Sequence, residues 1–223
     1  MGQTISLSTR HGRISGWKAT PHSSPRGAVI VVQEIFGVNS HIRSVADRFA
    51  GLGYTTIAPA LFDLVKPGVV LGYDEAGVEE GRKMAEELGF EGALDGVRAA
   101  YDALRDEHRV AAVGFCWGGT VAFLCNTRFG LPAVSYYGGR TVPFLHERPK
   151  APLMLHFGEY DPLIPPEDVE AHRKALPGSV EIHVWPAGHG FNCDQRPDYD
   201  AEAAQLAMER TQSFLRKHIQ HST

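Results

Sequence analysis

Three observations predict an α/β protein built on a mostly parallel sheet with helices on both faces. Ala28 to Gln33 is an unbroken apolar run, as expected for a strand buried on both sides. Strand-like runs of this kind alternate with stretches of helical spacing along the chain, which favours parallel pairing through helical crossovers. Val110 to Val113 then runs straight into Gly114-Phe115-Cys116-Trp117-Gly118-Gly119, a glycine-flanked bend between a strand and a helix.

The elements follow in order. Gln3 to Ser8 alternates apolar and polar residues, and Ile14 to Ala19 can pair with it as a hairpin. After the Ala28–Gln33 strand, Asn39 or Ser40 caps a helix that runs to about Leu52, where Gly53 ends it. Tyr54 to Ala58 is a strand closed by Pro59. Leu61 to Gly77, with Pro67 and several glycines, reads as an irregular loop. Glu79 to Leu88 has helical spacing. Glu91 to Glu107 is a clearer amphipathic helix with Leu94, Val97, Tyr101 and Leu104 on one face. A helix follows the bend from about Gly118 to Arg128. Val134–Tyr137 and Leu153–Phe157 are short strands, Glu167–Leu176 a helix stopped by Pro177-Gly178, Val180–Trp185 the last strand, and Tyr199–His218 the longest helix. With no internal repeat or linker, residues 1–223 are expected to form a single domain.

Composition narrows the function classes. Hydrophobic residues make up 43% and charged residues 22% of the 223, the profile of a globular protein with an ample core. The net charge of −4 carries no basic block, so neither nucleic acid nor an anionic membrane is an expected partner. Cys116, Cys125 and Cys193 lack CxxC spacing and are odd in number, which argues for free thiols in a reducing compartment. The first residues lack the basic and apolar regions of a secretory signal, and a cytoplasmic location is expected. No cofactor or metal is expected, because the spacing of His183, His189 and Cys193 matches no ligand pattern.

Three polar residues follow strand-like runs: Cys116 on the bend, Asp161 in Gly158-Glu159-Tyr160-Asp161-Pro162, and His189 in Gly188-His189-Gly190-Phe191. In a parallel sheet such residues gather at the carboxyl ends of the strands. The bend is the G-x-S-x-G nucleophile elbow with sulfur in place of oxygen, and the chain order nucleophile–acid–histidine is that of the α/β-hydrolases. The chemistry suits the residue types: the thiolate is the nucleophile, the imidazole moves its proton, and the carboxylate holds the imidazole. Taken singly, each has a plainer reading. Cys116 could be a small core residue, as Cys125 is expected to be; Asp161 could start a turn; His189 could be a loop residue. In this fold class one oxyanion amide comes from the residue after the nucleophile, Trp117, and another from the loop after the first long strand, Ile35. Glu34 would then face the pocket and govern the thiol's protonation.

Gln33-Glu34-Ile35-Phe36-Gly37, the elbow hexapeptide, Tyr136-Tyr137-Gly138 and Gly188-His189-Gly190-Phe191 together resemble the dienelactone hydrolase (carboxymethylenebutenolidase) family over nearly the whole chain. The resemblance implies a carboxylic ester or lactone hydrolase with Cys116, Asp161 and His189 as its triad. It implies Glu34 as the pocket glutamate, with Phe36, Tyr137 and Phe191 in its pocket segments. Family members that open dienelactones hold a substrate carboxylate with arginines. Arg82 lies near one such place, and Cys193 occupies the other, four residues past the histidine. Arg196 can substitute there if its loop folds back. The expected activity is therefore hydrolysis of a small ester or lactone through a thioester. A thiol redox sensor and a non-catalytic binding protein on the same scaffold are the alternatives.

Overall fold

The computed structural model describes residues 2–220. They divide into two compact units, residues 2–111 with 219–220, and residues 112–218.

In the first unit, β1 (Gln3–Thr9) and β2 (Gly12–Ala19) form the expected antiparallel hairpin, with Gln3 opposite Lys18 and Thr9 opposite Gly12. Strand β2 pairs antiparallel with β4 (Thr55–Pro59), which pairs parallel with β3 (Ala28–Val32). Every residue of β3 and β4 is buried, which explains why β3 reads as a continuous rather than an alternating apolar run. Helix α1 (Ser40–Gly51) starts where Asn39 accepts the Ile42 amide on its side-chain oxygen.

The expected loop at Leu61–Gly77 is partly ordered. Leu61–Leu64 forms a 3₁₀ turn, and Asp74 caps α2 (Glu75–Asp102) by accepting the Gly77 amide at 2.8 Å. The helix therefore begins four residues before Glu79. Its continuity is broken at Gly89 (φ 64°, ψ 175°), at the interruption expected between Leu88 and Glu91. Its second half ends at Asp102, five residues before Glu107. From there the chain tightens into turns, the amides of Leu104 and Arg105 both reaching the Tyr101 carbonyl.

The second unit carries β5 (Val110–Phe115, entered from the first unit), β6 (Ala133–Tyr136), β7 (Leu153–Gly158) and β8 (Glu181–Trp185), paired parallel in that order. The register aligns their carboxyl ends: Phe115 is opposite Tyr136, Tyr136 opposite His156, and Gly158 opposite Trp185. Helix α3 (Trp117–Leu124) stops short of the expected Arg128 because Cys125–Phe129 widens into a π turn. Asn126 holds that turn by donating to the carbonyls of Leu131 and Ala151 at 2.9 and 3.0 Å. A 3₁₀ turn at Val142–Phe144 was not foreseen. Helices α4 (Pro166–Ala175) and α5 (Ala201–Ile219) lie within two residues of expectation.

The core of the second unit contains a polar ladder. Trp185 Nε1 donates to His156 Nδ1 at 3.1 Å, so the ring proton sits on Nε2, 3.3 Å from Thr211 Oγ1. That hydroxyl is 2.6 Å from the Tyr136 hydroxyl. Burial, aided by the charges of His183 and Arg210, holds His156 well below its ordinary value, so the ring is neutral. Among the described residues, no helix is long and apolar enough to cross a membrane.

Candidate active site

Cys116 sits one residue past β5 at φ 54°, ψ −121°, a backbone conformation that side chains rarely adopt. Two features hold it there. Its amide donates to the Tyr136 carbonyl at 2.9 Å, and Gly114 packs so closely on Gly118 that a Cβ would overlap the Gly118 carbonyl oxygen. The strain lifts the sulfur off the strand end and leaves the residue partly exposed. Trp117 opens α3, which places its amide at the positive end of that helix.

The other two residues come from the same strand edge. Asp161 lies three residues past β7, and its Oδ1 accepts the Leu163 amide at 2.8 Å. Its other oxygen, Oδ2, accepts from His189 Nδ1 at 2.7 Å. His189 lies four residues past β8 and points Nε2 at Cys116 Sγ, 3.1 Å away. Both Asp161 and His189 are buried (5% exposed each), so their interaction is little screened by solvent. Burial alone would disfavour a charged His189. The negative charge on Cys116 and the Asp161 hydrogen bond outweigh it and push His189 up to about 10. A charged imidazole can donate from both nitrogens, to the Asp161 carboxylate and to the Cys116 sulfur.

Tyr137 and Phe191, expected at the pocket, are fully buried around His189. The Tyr137 ring meets the imidazole edge-on at 5.2 Å and Phe191 at 5.3 Å. Tyr137 itself has φ 41°, a second strained residue at a strand end. Cys193 is buried and forms no disulfide. Successive turns, Cys193 amide to Gly190 carbonyl and Arg196 amide to Cys193 carbonyl, fold the following loop back. Arg196 thereby lies across Gly190, with its guanidinium in the space a side chain at 190 would need.

The remaining expected residues belong to the first unit. Glu34 is fully buried and accepts the Tyr73 hydroxyl at 3.4 Å, while Phe36 meets the Tyr73 ring edge-on at 4.6 Å. Ile35 is partly exposed, and its carbonyl packs against Gly81 so tightly that a Cβ there would overlap it. Arg82 is the next residue and is exposed. Sequence reasoning missed Tyr73 as the partner of Glu34, because it stands in the stretch read as an irregular loop. It also missed the Leu163 amide, although an Asp two residues before an amide is a recognisable turn signal.

The dienelactone hydrolase family profile matches residues 14–219. The chain belongs to the dienelactone hydrolase family. A carboxymethylenebutenolidase of Pseudomonas putida is 30% identical over 223 residues, covering 95% of this chain and 94% of its own. A Synechocystis protein provisionally described by the same name is 34% identical over 239 residues, covering 96% of each. A Klebsiella pneumoniae crystal structure, provisionally described as a dienelactone hydrolase, superimposes with TM-score 0.85 at 27% identity, covering 98% of this chain and 99% of that one. The chain is thus a dienelactone hydrolase-like hydrolase with the α/β-hydrolase fold.

Proposed function

We propose that this dienelactone hydrolase family member hydrolyses a small carboxylic ester or lactone with Cys116 as nucleophile, His189 as proton carrier and Asp161 as its orienting carboxylate. One observation carries the reading: a single buried imidazole bridges the Cys116 sulfur at 3.1 Å and the Asp161 carboxylate at 2.7 Å. The thiolate attacks the carbonyl carbon, and the electron pair moves to the carbonyl oxygen. The amide of Trp117 takes up that charge; such a donor is worth roughly 3 kcal/mol of barrier. When the carbon–oxygen bond breaks, His189 Nε2 gives its proton to the departing alkoxide. In a lactone that alkoxide stays attached to the acyl chain. A thioester remains on Cys116. His189, now neutral, takes a proton from water, whose oxygen attacks the thioester and returns the thiolate.

Assignment of Ile35, Glu34, Phe36 and Arg82 to this reaction rests on the family resemblance. Arg196, drawn back across Gly190 next to His189, supports an anionic group on the substrate, as in a carboxylate-bearing lactone. The unbroken family match across residues 14–219 supports one domain spanning both units. Cys116, Cys125 and Cys193 form no disulfide, which suits a reducing compartment, and we place the enzyme in the cytoplasm.

The test is a screen of p-nitrophenyl esters, simple lactones and dienelactone against the native protein and its Cys116→Ala variant. Native turnover should fall by on the order of 10⁴-fold or more in the variant, the scale on which nucleophile removal acts. Full activity in a folded Cys116→Ala protein overturns the proposal.

A further inference from the structure

Helix α4 buries only two of its ten side chains within its span, Val169 and His172. His172 is 1% exposed, and its role is not accounted for by packing alone. Its Nδ1 lies 2.6 Å from the Asp168 carbonyl, which can only accept, so Nδ1 carries a proton. Burial holds the ring below its ordinary value and hence neutral, which leaves a lone pair on Nε2. That lone pair faces the hydroxyl of Thr141, itself 1% exposed, so Thr141 shares its single hydroxyl proton between His172 Nε2 and the Gly138 carbonyl, 3.1 Å away. Phe157 meets the ring edge-on at 5.0 Å and fixes its plane.

Thr141 stands in the loop after β6, and this loop touches both halves of the candidate site. The Arg140 amide donates to Thr120 Oγ1 on α3, the helix that Cys116 caps, at 3.2 Å. Gly138 packs against the Gly119–Thr120 backbone of the same helix. On the other side, Ile164 lies over Gly139, where a Cβ would stand 3.1 Å from its Cγ1. Ile164 closes the Asp161 turn by donating its amide to the Asp161 carbonyl at 3.3 Å. Pro165 then leads directly into α4. The bonds inside the turn give it its shape, but they do not fix it to the elbow. The His172–Thr141 hydrogen bond adds a link from α4 to the loop that packs on α3, beside the Ile164–Gly139 contact.

We infer that His172, through Thr141, is a positioning residue that holds the Asp161 turn in register with the nucleophile elbow and so keeps Asp161 on His189. It touches neither substrate nor the reacting atoms. The inference rests on the Cys116–His189–Asp161 reading and adds to it a tether within the second unit.

The experiment compares Thr141→Val, which keeps the shape and removes the hydroxyl, Thr141→Ser, which keeps the hydroxyl, and His172→Leu. Each is assayed for kcat and KM on p-nitrophenyl acetate. The His189 ring titration is followed by NMR on histidine-labelled protein, and melting temperature is recorded. Thr141→Val and His172→Leu should lower kcat on the order of tenfold, the scale of a sub-ångström to ångström misplacement, with KM little changed. His189 should titrate below its native midpoint in both, and Thr141→Ser should stay native-like. If His172→Leu fails to fold, Thr141→Val decides. Native kcat and a native His189 titration in Thr141→Val overturn the inference, even where the melting temperature falls. The triad reading fails by a different result, turnover surviving in Cys116→Ala. Should no ester be turned over, the His189 titration still decides whether the tether acts.

Discussion

The two oxygens of Asp161 have different partners, the Leu163 amide on Oδ1 and the His189 ring on Oδ2. The plain reading of this residue as a turn starter is met by the first contact, and the proposed role as an orienting acid uses the second. The turn aims the carboxylate. At His189 the charge balance has a measurable consequence. Its value of about 10 lies above the ordinary 6.5, so the stability its charge contributes is complete below pH 6.5 and lost as pH rises through about 10. In an NMR titration His189 should change protonation near pH 10, and Cys116→Ser, which removes the thiolate, should bring that midpoint down toward 6.5. A midpoint near 10 in both proteins would show that the sulfur is not the partner. At this scale the sequence was legible where residue type and strand order coincide, as for Cys116, Asp161 and His189. It was not legible for Arg196, whose position depends on two successive turns that fold the loop over Gly190.

Among elements, boundaries moved where a local hydrogen bond overrides apolar spacing. Asp74 starts α2 earlier than its apolar face suggests, and the Asn126 side chain accompanies a π turn where the spacing of α3 predicted more helix. The Gly89 break was readable because glycine there takes φ 64°. The Trp185–His156–Thr211–Tyr136 ladder was not, since nothing in periodicity announces a polar bridge between three strands and a helix. Removing its first donor leaves a buried His156 nitrogen without its bond. Trp185→Phe should therefore destabilise the protein by about 1–3 kcal/mol in denaturant unfolding, beyond any packing loss. An unchanged midpoint would mean that the ladder contributes nothing to the fold.

For the whole molecule, alternation of strand-like and helix-like runs predicted the mostly parallel architecture, and the family match confirms the α/β-hydrolase fold. The division into two compact units was not visible in the sequence, because it arises from long-range contacts rather than from a linker. If the chain acts as one domain, calorimetry should give a single transition whose calorimetric and van't Hoff enthalpies agree; two resolved transitions would separate the units. The central claim concerns covalent chemistry at one sulfur. Rapid-quench intact mass spectrometry during turnover of an activated ester tests it most directly. The account predicts an acyl adduct that maps to the Cys116 peptide, is released by hydroxylamine, and is absent in Cys116→Ala. Steady hydrolysis with no adduct at Cys116, or an adduct on another residue, would contradict it.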